Sequence, residues 1–162
     1  MHDRQAIRNA VADRLRSQVG SLVPGGIHAG RAAGIVADGE LAAIFVDVMR
    51  SKGELFSEQA SSLLRSYFVH VIIVGDGPEP DLADPGEPSC CDALDDLAVA
   101  VEGALKRNDV LGPRPVLGLR PAEFGFVDDT LTALPGGKGA IAHLTLRFII
   151  TLVQEDGAPV RS

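Results

Sequence analysis

The residues that could do chemistry are few and scattered. Cys90 and Cys91 are adjacent at the start of an apolar-periodic segment. They could be a redox pair, half of a metal site, or a thiol activated by a helix N-terminus. Neighbouring cysteines bond to each other only in strained geometry, so a structural disulfide is not expected. Zinc needs four ligands at fixed reach, and no second C-x-x-C or H-x-H pair accompanies them. The expectation is that Cys91 packs in the core and that Cys90 is incidental. The histidines are His2, His28, His70 and His143. His70 and His143 fall in two strand-like segments and could meet, but no acid at helical or strand spacing completes a triad or a facial metal site. They read as ordinary strand histidines.

Two glycine-rich stretches invite a phosphate reading and fail it. "LPGGKGA" places Lys138 before Gly139 and then a strand, whereas a P-loop needs G-x-x-x-x-G-K-[ST] leading into a helix. Gly75-Asp76-Gly77 lacks the third glycine of the dinucleotide fingerprint. Residues 75–89 carry four prolines and five acids, but not at EF-hand spacing, which makes a solvated loop rather than a cation site. No nucleophilic or acid–base constellation emerges, so a non-enzymatic protein with no cofactor and no metal is expected.

The elements that must position these residues are clearer. The chain has 162 residues, 46% hydrophobic and 23% charged, enough for one domain with a mainly aliphatic core, since aromatics are 4%. A net charge of −7 argues against gripping nucleic acid by phosphate neutralisation. Charges run through the N-terminal stretch and no apolar h-region is present, so a cytosolic product is expected. Ile7, Val11, Leu15 and Val19 repeat at i+4, predicting a helix over 4–18 with Asp3 as N-cap. Asp38-Gly39 reads as a turn, residues 41–49 as a strand, 50–62 as a polar connection, and 63–74 as a second strand, apolar on both faces near its end and therefore central. Ser89, with Asp92 three residues on, predicts a capped helix whose stripe is Cys91, Leu94, Leu97, Ala98, Val101, Ala104 and Leu105, with Asn108 as stop signal. Residues 111–129 read as an edge strand broken by proline and glycine, 130–139 as a long hairpin tip, and 155–162 as a loose tail.

The return strand, "AIAHLTLRFIITLV" over 140–153, has one charge, Arg147. It is too short for a membrane helix, which needs about 20 apolar residues, and it alternates. Ala142, Leu144, Leu146, Phe148, Ile150 and Leu152 fall on one face; Ile141, His143, Thr145, Arg147, Ile149, Thr151 and Val153 fall on the other. The second face is mixed, which suits a partner lying on it. Together the elements predict an α+β single domain: a mostly antiparallel sheet of four to five strands with two helices packed on one face.

The element order resembles the phage tail terminator family, of which the phage lambda minor tail protein U is the type and which includes the tail terminators of gene transfer agents. "GIHAGRAAGIVADGELAAIFVDV" is similar to that family's Gly-Arg-x-Ala turn and apolar strand, with Gly30, Arg31 and Ala33 at matching places. "CDALDDLAVAVEGAL" is similar to its helix, and "FGFVDDTLTALPGGKGAIAHLTLRFIITL" to its terminal hairpin, with Asp128 and Asp129 as its acidic pair. The chain lacks the proline usual at the start of the strand near Leu41, and its loop over 75–89 and tip near Lys138 look longer. The resemblance implies a homo-hexameric ring in the virion neck. Such a ring caps the head-proximal end of the tail tube, stops tube polymerisation and gives the head-completion protein a docking surface, with DNA only as passing cargo. Under it, Arg31, His143, Thr145, Arg147 and Thr151 are the expected subunit or tube contacts, and Arg31 and Arg147 the natural ion-pair donors between subunits. The alternatives are a head-closure or connector protein of the neck, a small cytosolic enzyme using Cys90, and a ligand-binding module.

Overall fold

The computed structural model describes residues 3–30, 42–56, 63–77, 85–86, 89–106, 119–136 and 139–154. In chain order these form helix α1 (Asp3–Val19), a 3-10 turn (Gly20–Leu22), strands β1 (Ile27–Ala29), β2 (Ala43–Phe56) and β3 (Leu63–Gly77), helix α2 (Cys90–Leu105), and strands β4 (Leu119–Gly136) and β5 (Gly139–Gln154). The five strands make one sheet in the order β1-β2-β3-β5-β4. β1 lies parallel to β2, and every other pair is antiparallel. The class is α+β, a single domain, and β3 is central.

One apolar cluster joins the two helices to alternate strand residues. Ile7, Val11, Ala12, Leu15 and Val19 of α1 and Leu94, Ala98, Val101, Ala104 and Leu105 of α2 meet one residue in two of β2, β3 and β5: Ile44, Val46 and Val48; Tyr67, Val69, Val71 and Ile73; Ala142, Leu144, Leu146, Phe148 and Ile150. Each of the larger side chains contributes roughly 1.5–3 kcal/mol through burial. The i+4 repeat of α1 and the period-2 repeat of the strands thus find each other. Leu94 approaches β3 so closely that a Cβ added at Gly75 would lie 2.9 Å from its Cδ2.

Polar bonds lock the helices in place. Arg14 Nε donates to the Ala104 carbonyl at 3.1 Å, supplying positive charge at the C-terminal turn of α2. Arg16 donates through Nε and Nη2 to the Ile27 carbonyl at 3.3 and 2.9 Å, tying α1 to β1. Ser89 caps α2 reciprocally: its hydroxyl accepts from the Asp92 N–H at 3.3 Å, and the Asp92 carboxylate accepts from the Ser89 N–H at 3.0 Å.

Several boundaries differ from the sequence reading. β2 runs to Phe56, through residues expected to form a polar connection. The strand is held there by pairing, because after a register shift between Arg50 and Glu54 it meets β3 again at Glu54↔Arg65, Leu55↔Leu64 and Phe56↔Leu63. The shift absorbs the polar run. β3 likewise continues through Gly75–Gly77, paired to Ala140–Ala142. The expected long tip is mostly strand: pairing runs out to Gly136↔Gly139, leaving two residues between. Asp3 is the first helical residue rather than the cap, and α2 stops at Leu105, with Lys106 as C-cap, before Asn108. β1 was not foreseen: three residues carry little periodicity, and positive φ at Gly26 and Gly30 (both 81°) sets it off at either end. Asp38-Gly39, the helix stop Asn108, Lys138 and the tail over 155–162 lie outside the described residues.

Candidate interaction face of the sheet

The face of the sheet turned away from the two-helix cluster carries most of the residues singled out from the sequence. Strand register sets them in rows. Asp47 pairs with His70, His70 with Arg147, and Arg147 with Asp128, so one row across four strands reads acid, imidazole, guanidinium, acid. On one side lies the row Phe45, Ile72, Thr145, Thr130; on the other, Met49, Phe68, Ile149, Gly125. A charged stripe therefore runs between one row that is half apolar and half threonine and another without charge.

Arg147 is the best-fixed side chain of this face. Its Nε donates to Asp128 Oδ1 at 2.8 Å and its Nη2 to Asp128 Oδ2 at 2.5 Å, the forked geometry that suits a guanidinium and a carboxylate. The guanidinium also lies over the Phe68 ring, 5.0 Å from its centroid. The expected intersubunit donor thus has an acidic partner within its own chain. Arg147 and Asp128 keep 37% and 50% of their side-chain surface exposed, so both can still meet a further group.

Thr145, His143 and Thr151 are half-buried on the same face. Thr151 shares a hydrogen bond with Ser66, hydroxyl to hydroxyl, at 3.1 Å. His143 sits opposite Val74, and His70 opposite Arg147, four residues apart along β3. At about 3.3 Å per residue the two histidines are some 13 Å apart and do not meet. Arg31, the remaining predicted contact, lies outside the described residues, as does the side chain of Cys90. Cys91 packs against the two-helix cluster, as expected.

The corner of this face near β1 is closed. Ala43, Phe45 and Val74 form a second buried cluster, with Ile72 against it. The His28 ring stacks on Phe45 at 5.2 Å, and its Nε2–H donates to the Gly25 carbonyl at 2.7 Å. Residue spacing does not announce this contact, because His28 belongs to the unforeseen strand. Among the described residues no group of three or more His, Cys, Asp and Glu is placed to hold a metal, and no helix is long and apolar enough to cross a membrane. The rest of the face carries half-buried Phe68, Ile72 and Ile149 around the ordered Arg147–Asp128 pair. No protein-family model matches this chain, and no curated protein matches it.

Proposed function

We propose that this chain is a structural virion protein of the tail terminator kind. In this reading copies of it form a ring, expected to be hexameric, on the head-proximal end of a phage tail tube. The ring stops tube growth and offers the docking surface for the head-completion protein. The observation that supports this best is the open sheet face. Half-buried Phe68, Ile72 and Ile149 surround the Arg147–Asp128 pair. That mixture of apolar area and ordered charge suits an interface formed by a subunit that must first be soluble. The acid surplus also fits a conduit, because a basic lumen would retain passing DNA.

The test is electron microscopy of lysates from the parent phage or prophage with this gene deleted. Over-long or irregular tubes beside separate filled heads are the expected result. Tails of normal length beside emptied heads would move the protein to head closure, and normal infectious particles would refute a role in the virion.

A further inference from the structure

The backbone of the sheet carries a second message, at its two edges. Ile44 N–H donates to the Gly26 carbonyl at 3.0 Å, and the Val46 carbonyl accepts from Gly30 N–H at 3.4 Å, so even-numbered residues of β2 turn their backbone toward β1. β1 ends at Ala29, opposite Val46. From Val48 onward the β1 side of β2 has no strand beside it among the described residues. Val48 N–H is met there by the chain's own Asp47 carboxylate at 2.9 Å, a cap on the exposed edge. Beyond the register shift, Glu54 and Phe56 again face outward, because their partners Arg65 and Leu63 bond toward β5.

Carrying the alternation across the sheet fixes the other edge. Odd-numbered residues of β3 face β5, so even-numbered residues of β5 face β3 and its odd-numbered residues face β4. Asp128, Thr130 and Thr132 therefore bond to Arg147, Thr145 and His143, while Asp129, Leu131 and Ala133 turn N–H and C=O to the other side, where no strand lies among the described residues. This run lies between a register shift at Phe126/Asp128 and Pro135, which has no N–H to give. Among the described residues its helix-side face is only partly covered. A helix about 10 Å wide covers about two strands set about 4.8 Å apart, so two helices do not fully cover a fifth strand. Phe126 and Leu131 are about half exposed (48% and 45%), and Val99 on α2 is more so (72%), beside an open groove of about 520 Å³.

We propose that copies of this chain join head to tail, the outer edge of β4 pairing with the Arg50–Phe56 edge of β2 in the next copy. Direction and charge select this partner. β2 runs antiparallel to β4 within the sheet, so a next copy in the same orientation would continue the sheet with its β2 as an antiparallel ladder. Asp128–Leu134 carries two acids and no base, whereas Arg50–Phe56 carries two bases, Arg50 and Lys52, and one acid. A twofold pairing of β4 with itself stops at two copies. The head-to-tail pairing leaves one free edge at each end and so can close into a ring. The inference rests on the ring reading for its biological setting, but it stands or falls by its own experiment.

That experiment is native mass spectrometry of the full chain over a range of concentrations. The wild type is expected to show assemblies larger than two subunits. Leu131→Pro removes an outward N–H and no bond to β5, so it should be monomeric with an unchanged melting temperature. The charge reversal Arg50→Glu with Lys52→Glu blocks the other edge and should also be monomeric. Mixed, the two variants each keep one working edge and should form one-to-one pairs that grow no further. A wild type that is monomeric at every concentration, one that stops at dimers, a Leu131→Pro chain that assembles normally, or mixed variants that do not pair would each overturn the edge pairing. None of these would alter the tail-length result of the deletion, which judges the ring reading separately.

Discussion

Ser89 and Arg147 mark the two extremes of what single residues disclose. The spacing of Ser89 and Asp92 announces a capping box, and the box is present with both reciprocal bonds. Hydrogen bonds from the Ser89 backbone N–H, and then from its hydroxyl, hold the Asp92 carboxyl below its ordinary range. A depressed carboxylate contributes stability that is fully present above its unfolded pKa and is lost as pH falls through the lower folded value. As loss of an N-cap, Ser89→Ala should cost about 1 kcal/mol. Asp92→Asn should flatten the acid limb of the stability curve, both read by denaturant titration across pH. An unchanged acid limb in Asp92→Asn would show that the box does not carry it. Arg147 discloses far less. Its partner Asp128 lies 19 residues away across a hairpin whose register shifts at Phe126/Asp128, so chain spacing cannot show that they meet. The cap is local and legible; the ion pair depends on a bulge, which is a tertiary event.

At the scale of elements, periodicity located α1, α2, β2, β3 and β5 but misjudged where strands end. Core-facing alternation gave β3 and β5 their extents to within a few residues, because one face of each is buried and a slip would expose it. β2 beyond Arg50 and the β4–β5 tip are held by cross-strand pairing rather than by their own sequence, so a polar or glycine-rich run there imitates a loop. Gly75 shows the same dependence from the other side. Read alone, it opens a loop; in the sheet it faces the buried Leu94, and a Cβ there would come within 2.9 Å of a side chain that is fully enclosed. Gly75→Ala should accordingly destabilise the fold by about 1–3 kcal/mol through overpacking of α2 against β3. Pairing it with Leu94→Ala, which alone should cost about 2–5 kcal/mol, should give less than the sum, since the smaller side chain makes room for the added methyl. Strict additivity would mean that the approach of α2 to Gly75 is not what limits that position.

For the whole molecule the open question is whether the Arg147–Asp128 pair serves the subunit or its neighbours. Both side chains are substantially exposed, and a pair of that kind is worth at most about 1 kcal/mol to a monomer. Two hydrogen bonds and a ring beneath the guanidinium nevertheless hold the Arg147 charge in one place at the surface. That ordering would serve to present a fixed charge to another surface. Arg147→Glu alone does not separate the two roles, because it sets two acids opposite each other within the chain and also reverses the outward charge. The double exchange Arg147→Glu with Asp128→Arg does. It restores opposite charges across β4 and β5 while inverting the polarity that a partner meets. Under the tail-terminator proposal, a pair that works only within the subunit should let the exchange recover melting temperature and tail capping together in a complementation assay. If it faces a partner, melting temperature should return to near the wild-type value while tails remain over-long. The second outcome is the one expected under that proposal, since Arg147 and Asp128 both keep exposed surface on this face.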